Sequence, residues 1–346
     1  MSNMKDALGR TIDYMRISIT DRCNLRCKYC MPYGVECVPR WDILSLEEIQ
    51  AVGICAAGLG IRHIKVTGGE PLVRRDCCQL VKQLKSTPGI EKVTITTNGV
   101  LLERYLDDLA EAGIDGINIS LDTLDRDLYQ RITGTDALGT VMEAVRRACA
   151  MPVSVKINAV SIDFSQMDEE QREAGQDGWR QMVELAREYP VDVRFIEMMP
   201  IGYGKNFKTI NHQELLEEMM RAYPDMEEDD RVHGFGPAVY YRIPGFKGSI
   251  GLISAIHGKF CSDCNRVRLT SQGYLKPCLC YEDGVDLRRI LRKGQERPEE
   301  EGHYRWPYAG CPSDEGLQRE LRKMCIRDRG GTGHVYGPEI RRGHDQ

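Results

Sequence analysis

Between residues 14 and 223, short apolar runs rich in β-branched residues alternate with longer stretches of helical period. Residues 15–20, 63–67, 92–97, 116–121, 153–160 and 191–197 make up the apolar runs, none longer than eight residues, and read as strands. Helices fit between them. One starts at the capping box Ser45-x-x-Glu48 and runs toward Gly60, where a helix can stop. Others fit residues 75–85, 101–112, 140–150 and 179–189. Six strand–helix units predict a parallel sheet with right-handed crossovers. Six is short of the eight that close a full barrel, so the α/β fold is either an open partial barrel or a doubly wound sheet. The sequence contains no internal repeat.

The pattern changes after residue 224. The acidic run Glu227-Glu228-Asp229-Asp230 and the Gly-rich sequence behind it predict a solvated loop and a domain joint. Residues 237–294 form a second unit that carries the later cysteines. Residues 295–346 hold eight Gly but only five Leu, Ile, Val and Phe, too few to pack a core. This tail is expected to be disordered or poorly packed. Its stretch Lys323-Met-Cys-Ile-Arg-Asp-Arg329 resembles translated adapter sequence, which marks the segment as an aberrant end. The predicted division is therefore 8–224, 237–294 and a tail over 295–346.

Composition narrows the class. In 346 residues, 41% are hydrophobic and 29% charged, as in ordinary globular chains. A net charge of −5 argues against a general nucleic-acid or anionic-membrane surface, though not against a local basic pocket. The longest weakly polar run, 51–61, is too short to span a bilayer. Because the N-terminus does not resemble a signal peptide, a cytoplasmic location is expected. Fourteen cysteines are many for such a chain, and their clustering points to metal binding or redox chemistry. Cys37, Cys55, Cys77, Cys78 and Cys149 are scattered and read as small buried hydrophobes.

Two groups of cysteines stand out. Cys23, Cys27 and Cys30, spaced C-x3-C-x2-C, follow the first predicted strand directly. Zinc sites and four-iron clusters both usually take four protein ligands, so three thiols leave a coordination position open. A zinc knuckle completed by Cys37 or a distant His is the alternative. The second group is Cys261-x2-Cys264, then Cys278 and Cys280. Alone it would suit a zinc ribbon. The next strand adds a discriminating feature, because it ends Lys65-Val66-Thr67-Gly68-Gly69-Glu70-Pro71, about 40 residues after the first motif. Paired glycines at a strand end let a ligand approach the backbone, and Glu70 with exposed carbonyls can receive an ammonium group.

Together these features resemble the radical S-adenosylmethionine (SAM) superfamily. Cys261-x2-Cys264-Asn265-Arg266-Val267-Arg268, Met15-Arg16-Ile-Ser-Ile-Thr-Asp-Arg-Cys23, Ile119-Ser-Leu-Asp122, Val155-Lys156-Ile-Asn158 and Arg194-Phe-Ile-Glu-Met-Met-Pro200 narrow the resemblance to the GTP 3′,8-cyclase family of molybdenum cofactor biosynthesis, over about residues 8 to 294. That resemblance implies a partial (β/α)6 barrel with a smaller C-terminal cluster-binding domain. It implies a radical SAM lyase with two 4Fe-4S clusters, on Cys23, Cys27 and Cys30 and on Cys261, Cys264 and Cys278. Tyr29, Gly69, Ser120 and Met199 would contact SAM, with Met198 an alternative to Met199. Arg16, Lys65, Thr96, Lys156, Arg266, Val267 and Arg268 would contact GTP, with Thr97 and Asn98 adjoining Thr96. An electron donor and the next enzyme, cyclic pyranopterin monophosphate synthase, are the implied partners. No nucleic acid or membrane partner is expected, and a homodimer is left open. Cys280 departs from the family pattern and reads as a bystander to a three-thiolate cluster. Gly330-Gly331 lies in the aberrant tail, so the family's C-terminal double glycine is not transferred to it. The rivals are a peptide-modifying radical SAM enzyme and a zinc-binding interaction module.

Overall fold

The computed structural model describes residues 4–35, 38–163, 178–258, 260–280, 283–295 and 315–326. Six parallel strands form its centre: β1 Tyr14–Ser18, β2 His63–Thr67, β3 Lys92–Thr97, β4 Gly116–Ser120, β5 Ser154–Ser161 and β6 Val191–Glu197. Alternation along them is strict, and it sorts two kinds of residue. Met15, Ile17, Ile64, Val66, Val93, Ile95, Ile117, Ile119, Val155, Ile157, Val193 and Phe195 face one side and are buried in the core. Arg16, Lys65, Thr94, Thr96, Asn118, Lys156 and Arg194 face the other and line a cavity. A one-residue slip in register would exchange the two sets, so burial of the apolar face pins the pairing.

Helices cover the apolar side: α1 Leu46–Gly58, α2 Cys77–Lys85, α3 Leu102–Glu111, α4 Arg126–Thr133, α5 Leu138–Cys149, α6 Gly178–Glu188 and α7 His212–Ala222. The predicted capping box is present, with Ser45 Oγ accepting from Glu48 N and Glu48 Oε2 accepting from Ser45 N at 2.7 Å. Gly60 follows α1 at φ 108°, a conformation that side chains rarely adopt. Two helices were not anticipated. For α4 the signal was present: an Asp125 cap on Leu128 N, Leu128, Tyr129 and Ile132 buried, and Gly134 at φ 77°.

The second unit does not build a sheet of its own. Strand β9 Ile250–Ile253 pairs parallel to β6, and β10 Arg266–Leu269 pairs parallel to β1. Strands β7 Glu227–Glu228 and β8 Val239–Arg242 extend the β9 edge, while β11 Tyr274–Lys276 and β12 Val285–Asp286 extend the β10 edge. The acidic run is therefore not simply a solvated loop. Glu227 and Glu228 form an edge strand, and Asp229 is buried under Arg231, His233 and Ser249. Helix α8 Leu287–Leu291 leads to Arg292, which forks onto Glu48 at 2.5 and 2.6 Å and so ties the end of the second unit to the start of α1.

The tail expectation fails for twelve residues. Glu315–Ile326 is a helix, α9, with Leu317 and Leu321 buried against the core and contacts to α1 and α8. The sparse apolar residues of this segment fall at Leu317 and Leu321, one turn apart, which composition alone does not reveal. The remainder of the tail, including Gly330-Gly331, lies outside the described residues, as does Cys37. Cys55 and Cys77 are core residues as expected, while Cys78 and Cys149 pack against the core half-buried.

Candidate active site

The first cysteine loop lies at the C-terminal end of β1. It is held down by the glycine turn that ends β2. Gly69 N donates to Thr20 O at 2.7 Å, and Glu70 N donates to Arg22 O at 2.7 Å. A Cβ on Gly69 would stand 2.3 Å from Arg22 O, and one on Gly68 would stand 2.8 Å from Thr20 O. The neighbour that requires glycine here is thus the protein's own cysteine loop. Glu70 likewise differs from expectation. It is buried, and its carboxylate accepts from Thr97 Oγ1 at 2.7 Å, Asn98 N at 2.7 Å and Leu72 N at 3.1 Å. With these donors Glu70 positions the ends of β2 and β3 rather than presenting a free carboxylate to an ammonium group. Asn98 continues the chain of contacts, donating to Asn24 Oδ1 at 2.8 Å and reaching Cys23 Sγ at 3.8 Å.

Tyr29 and Ser120 approach the same loop. The Tyr29 hydroxyl donates to Asp122 Oδ2 at 2.7 Å, and Asp122 Oδ1 accepts from Val160 N at 2.9 Å. A small cavity brings Cys27, Tyr29, Asn98, Ser120 and Asp122 together. Burial pushes the Cys27 thiol well up, and the charges of Asp122, Cys30 and Cys23 push it further. Three thiolates here would have little protein cation to balance them, so the donor set calls for a positively charged metal group. Among the described residues no three His, Cys, Asp or Glu side chains converge to hold one metal ion. The three thiols share one loop, Cys23 and Cys27 half-buried and Cys30 exposed. Met198 is buried and Met199 half-buried in the loop after β6, which leaves Met199 the more available of the pair.

The polar side of the sheet encloses a cavity of about 410 Å³. Five of the residues expected to contact GTP, Arg16, Lys65, Thr96, Lys156 and Arg266, line it together. Neighbouring strands bring them into register: Arg16 pairs with Lys65 and with Arg268, Thr96 with Asn118, and Asn118 with Lys156. Of the three adjoining candidates, only Thr96 faces the cavity; Thr97 and Asn98 serve the cysteine loop. Val267 points into the core, opposite Arg266 and Arg268, so its side chain stays out of the cavity. Lys156 is ion-paired with Asp192 and donates to Tyr240 Oη at 3.2 Å.

Lys156 has Asp192 as its counter-charge, while Arg16, Lys65, Arg194 and Arg266 add further positive charge to the same cavity. Burial, then Arg194, Arg16, Lys156 and Arg266, holds the Lys65 ammonium well below its ordinary 10.5. Arg268 is brought down to about 9, chiefly by burial, then by Arg16 and Arg266. Arg16 Nε, Arg194 Nε and His63 Nδ1 are buried with no hydrogen-bond partner among the described residues. Such a site favours a polyanion that fills it. Arg194 is a residue that the sequence reading left unassigned. It donates to Asn118 Oδ1 and Asn158 Oδ1, both at 2.6 Å, and lines the cavity. Its inward register on β6, matching Asn158 on β5, was the signal available.

The second cysteine loop sits beside this cavity because β10, which carries Arg266 and Arg268, begins just after Cys264. Arg10, fixed by Asp6, donates to Cys261 O at 2.5 Å. Asn265 Nδ2 donates to Asp13 Oδ1 at 2.7 Å, joining the loop to the foot of β1. Cys261, Cys264 and Cys278 are each half-buried. Cys280 lies beside Cys278: its N–H points at Cys278 Sγ, 3.5 Å away.

Comparison with known proteins agrees with this geometry. A family model of the radical SAM superfamily matches residues 17–174, and one described as Molybdenum Cofactor Synthesis C matches 191–303. The GTP 3′,8-cyclase of Clostridium perfringens strain 13 is 41% identical over 292 residues, covering 84% of this chain and 88% of that protein. That of Moorella thermoacetica is 42% identical over 300 residues, covering 86% and 90%. Among solved structures, Streptococcus suis SuiB aligns with a TM-score of 0.59 at 16% identity, over 80% of this chain and 63% of that one, a likeness of fold alone. A radical SAM barrel whose polar lumen opens beside a second cysteine loop, at this identity over most of its length, places the chain in the GTP 3′,8-cyclase family.

Proposed function

We propose that this chain is a GTP 3′,8-cyclase acting in molybdenum cofactor biosynthesis. The observation that carries the reading is the cationic cavity lying between two cysteine loops. Cys23, Cys27 and Cys30 hold the first 4Fe-4S cluster; Cys261, Cys264 and Cys278 hold the second. When bound, cluster and SAM together supply a 5′-deoxyadenosyl radical that takes hydrogen from C3′ of GTP, leading to 3′,8-cyclo-7,8-dihydro-GTP. Tyr29, Gly69, Ser120 and Met199 form the SAM side of the site. Arg16, Lys65, Lys156, Arg266 and Arg268 take the triphosphate, whose roughly four negative charges suit guanidinium and ammonium donors. Thr96 and Asn118 orient the nucleotide from the middle of the sheet. Asp192 balances Lys156 until the phosphates arrive. Segment 232–237 lines one side of the cavity. Residues 8–224 are the catalytic barrel and 237–294 the unit that brings the second cluster to it. The product passes to cyclic pyranopterin monophosphate synthase, and an external donor provides the electron.

The reading is tested on the anaerobically reconstituted chain with SAM, a reductant and GTP. Cys27→Ser is expected to abolish deoxyadenosine formation while keeping the iron of the second loop. Undiminished SAM cleavage by that variant, or zinc without iron and acid-labile sulfide in the wild type, sinks it. The peptide-modifying alternative is weakened by Arg266 and Arg268, which stand next to the second loop and suit phosphate better than a peptide chain.

A further inference from the structure

A chain of charges runs from Lys156 on β5 to Arg231 in the segment after β7. Asp192 Oδ2, on β6, is shared: it pairs with the Lys156 ammonium and faces His233 Nδ1 at 3.0 Å. The other ring nitrogen, His233 Nε2, faces Asp229 Oδ2 at 2.9 Å. Asp229 is buried, yet the fork of Arg231, at 2.8 and 2.6 Å, holds its carboxyl well below the ordinary 3.8, and Ser249 Oγ donates to it at 2.9 Å. A carboxylate oxygen can accept but not donate. Both His233 contacts are therefore hydrogen bonds when each ring nitrogen carries a proton and the ring is an imidazolium. The ring is fixed in place by stacking on Tyr240, with centroids 4.0 Å and planes 12° apart. Tyr240 Oη in turn accepts from Lys156 at 3.2 Å. Two residues on, Phe235 stacks on His63 at 3.4 Å and anchors the far side of the same segment. His233 and Lys156 both line the cavity.

We propose that His233 is a positioning residue for the triphosphate: as an imidazolium it takes up the charge of Asp192 and so leaves the Lys156 ammonium available to an incoming phosphate. The proposal rests on the reading that the cavity binds GTP, and deepens it. An ammonium held by a carboxylate of its own serves a ligand poorly, because the ligand must first break that pair and strand the carboxylate. With His233 on the same oxygen, Lys156 can turn to phosphate while Asp192 keeps a cationic partner. No buried charge is then left without a counter-charge. The charges agree with this role. Lys156, an imidazolium at His233 and Arg231 outnumber Asp192 and Asp229, so the chain as a whole keeps a positive charge to offer the phosphates.

Equilibrium dialysis of GTP against the full reconstituted chain tests this through a double-mutant cycle. His233→Gln keeps a donor but no charge, and Asp229 retains Arg231 and Ser249. This variant is expected to bind GTP about tenfold more weakly than wild type, since Asp192 then holds Lys156 for most of the time and the competent fraction falls. Asp192→Asn removes the carboxylate that competes for Lys156, so adding His233→Gln to it should cost about twofold or less. A His233 that merely supports the fold would cost the same in either background. That additivity overturns the proposal, as does wild-type affinity in His233→Gln. Unchanged GTP affinity in Lys156→Ala would instead overturn the placement of the phosphates in this cavity, a separate failure.

Discussion

At the residue scale, the site depends on buried charges whose partners are fixed. Glu70 is the clearest example, since its three donors, Leu72 N, Thr97 Oγ1 and Asn98 N, tie the segment after β2 to the end of β3 beside the first cysteine loop. Glu70→Ala would strand two backbone N–H groups and the Thr97 hydroxyl in a buried place. Because an unsatisfied buried polar group costs about 1–3 kcal/mol, the variant is expected to lose about 3 kcal/mol of stability in urea unfolding and to bind iron poorly in the first loop. Lys65 offers a second test. Its ammonium is held well below 10.5 by burial and four neighbouring cations, and a bound triphosphate would raise it again. The complex then retains the proton, so affinity is full below the depressed value and declines as pH rises through it. Lys65→Arg, which stays charged, should flatten the alkaline loss of GTP affinity measured by equilibrium binding. An unchanged slope would remove Lys65 from the phosphate site.

At the element scale, the most informative piece is α9. The tail's composition argued against packing, yet Leu317 and Leu321 are buried by α1 and α8. Leu321→Ala is expected to cost about 2–3 kcal/mol in chemical denaturation, the lower part of the range for buried leucine. No loss would show that α9 does not dock. The β-strands show the converse case. Their residue ranges were legible because short apolar runs rich in β-branched residues, set between helical stretches, are a strong local signal. Which face looks into the lumen came only with the register, which brings Arg16, Lys65, Asn118 and Lys156 to one side.

At the scale of the whole molecule, strand ends from distant parts of the chain meet at the open face of the barrel. His212, at the start of α7, bridges Ser161 at the end of β5 and Ser254 just after β9, at 2.9 and 3.2 Å. Glu197, at the end of β6, accepts from Ile256 N and His257 N at 2.6 and 3.1 Å, on the segment leading to Cys261. Burial pulls His212 below its ordinary 6.5, a shift that nearby Glu197 only partly opposes. Burial alone would raise Glu197, but the donors from His257 and Ile256 bring it below 4.5. Both shifts have the same consequence: the unfolded chain binds protons that the folded one does not, so stability falls as pH drops below about 6.5. The thermal midpoint should therefore decline between pH 7 and pH 5, and His212→Gln should reduce that decline. A slope unchanged by the substitution would place the titration elsewhere.

The sequence by itself determined the alternating strands and helices, the two cysteine loops, the cationic residues of the lumen and the family, because each is written in local spacing or in a run of specific residues. Tertiary structure decided the rest. It showed Gly69 and Glu70 bracing the cysteine loop, since only packing reveals that Arg22 O lies where a Cβ would stand. It sorted Thr96 from Thr97 and Asn98, and Val267 from its arginine neighbours, because the face a side chain takes depends on the register with the next strand. It made the second unit an extension of both sheet edges, buried Asp229 within an apparently solvated acidic run, and docked α9. Each of these depends on a hydrogen bond or an apolar contact between residues far apart in the chain, and no local pattern encodes which distant partner will be there.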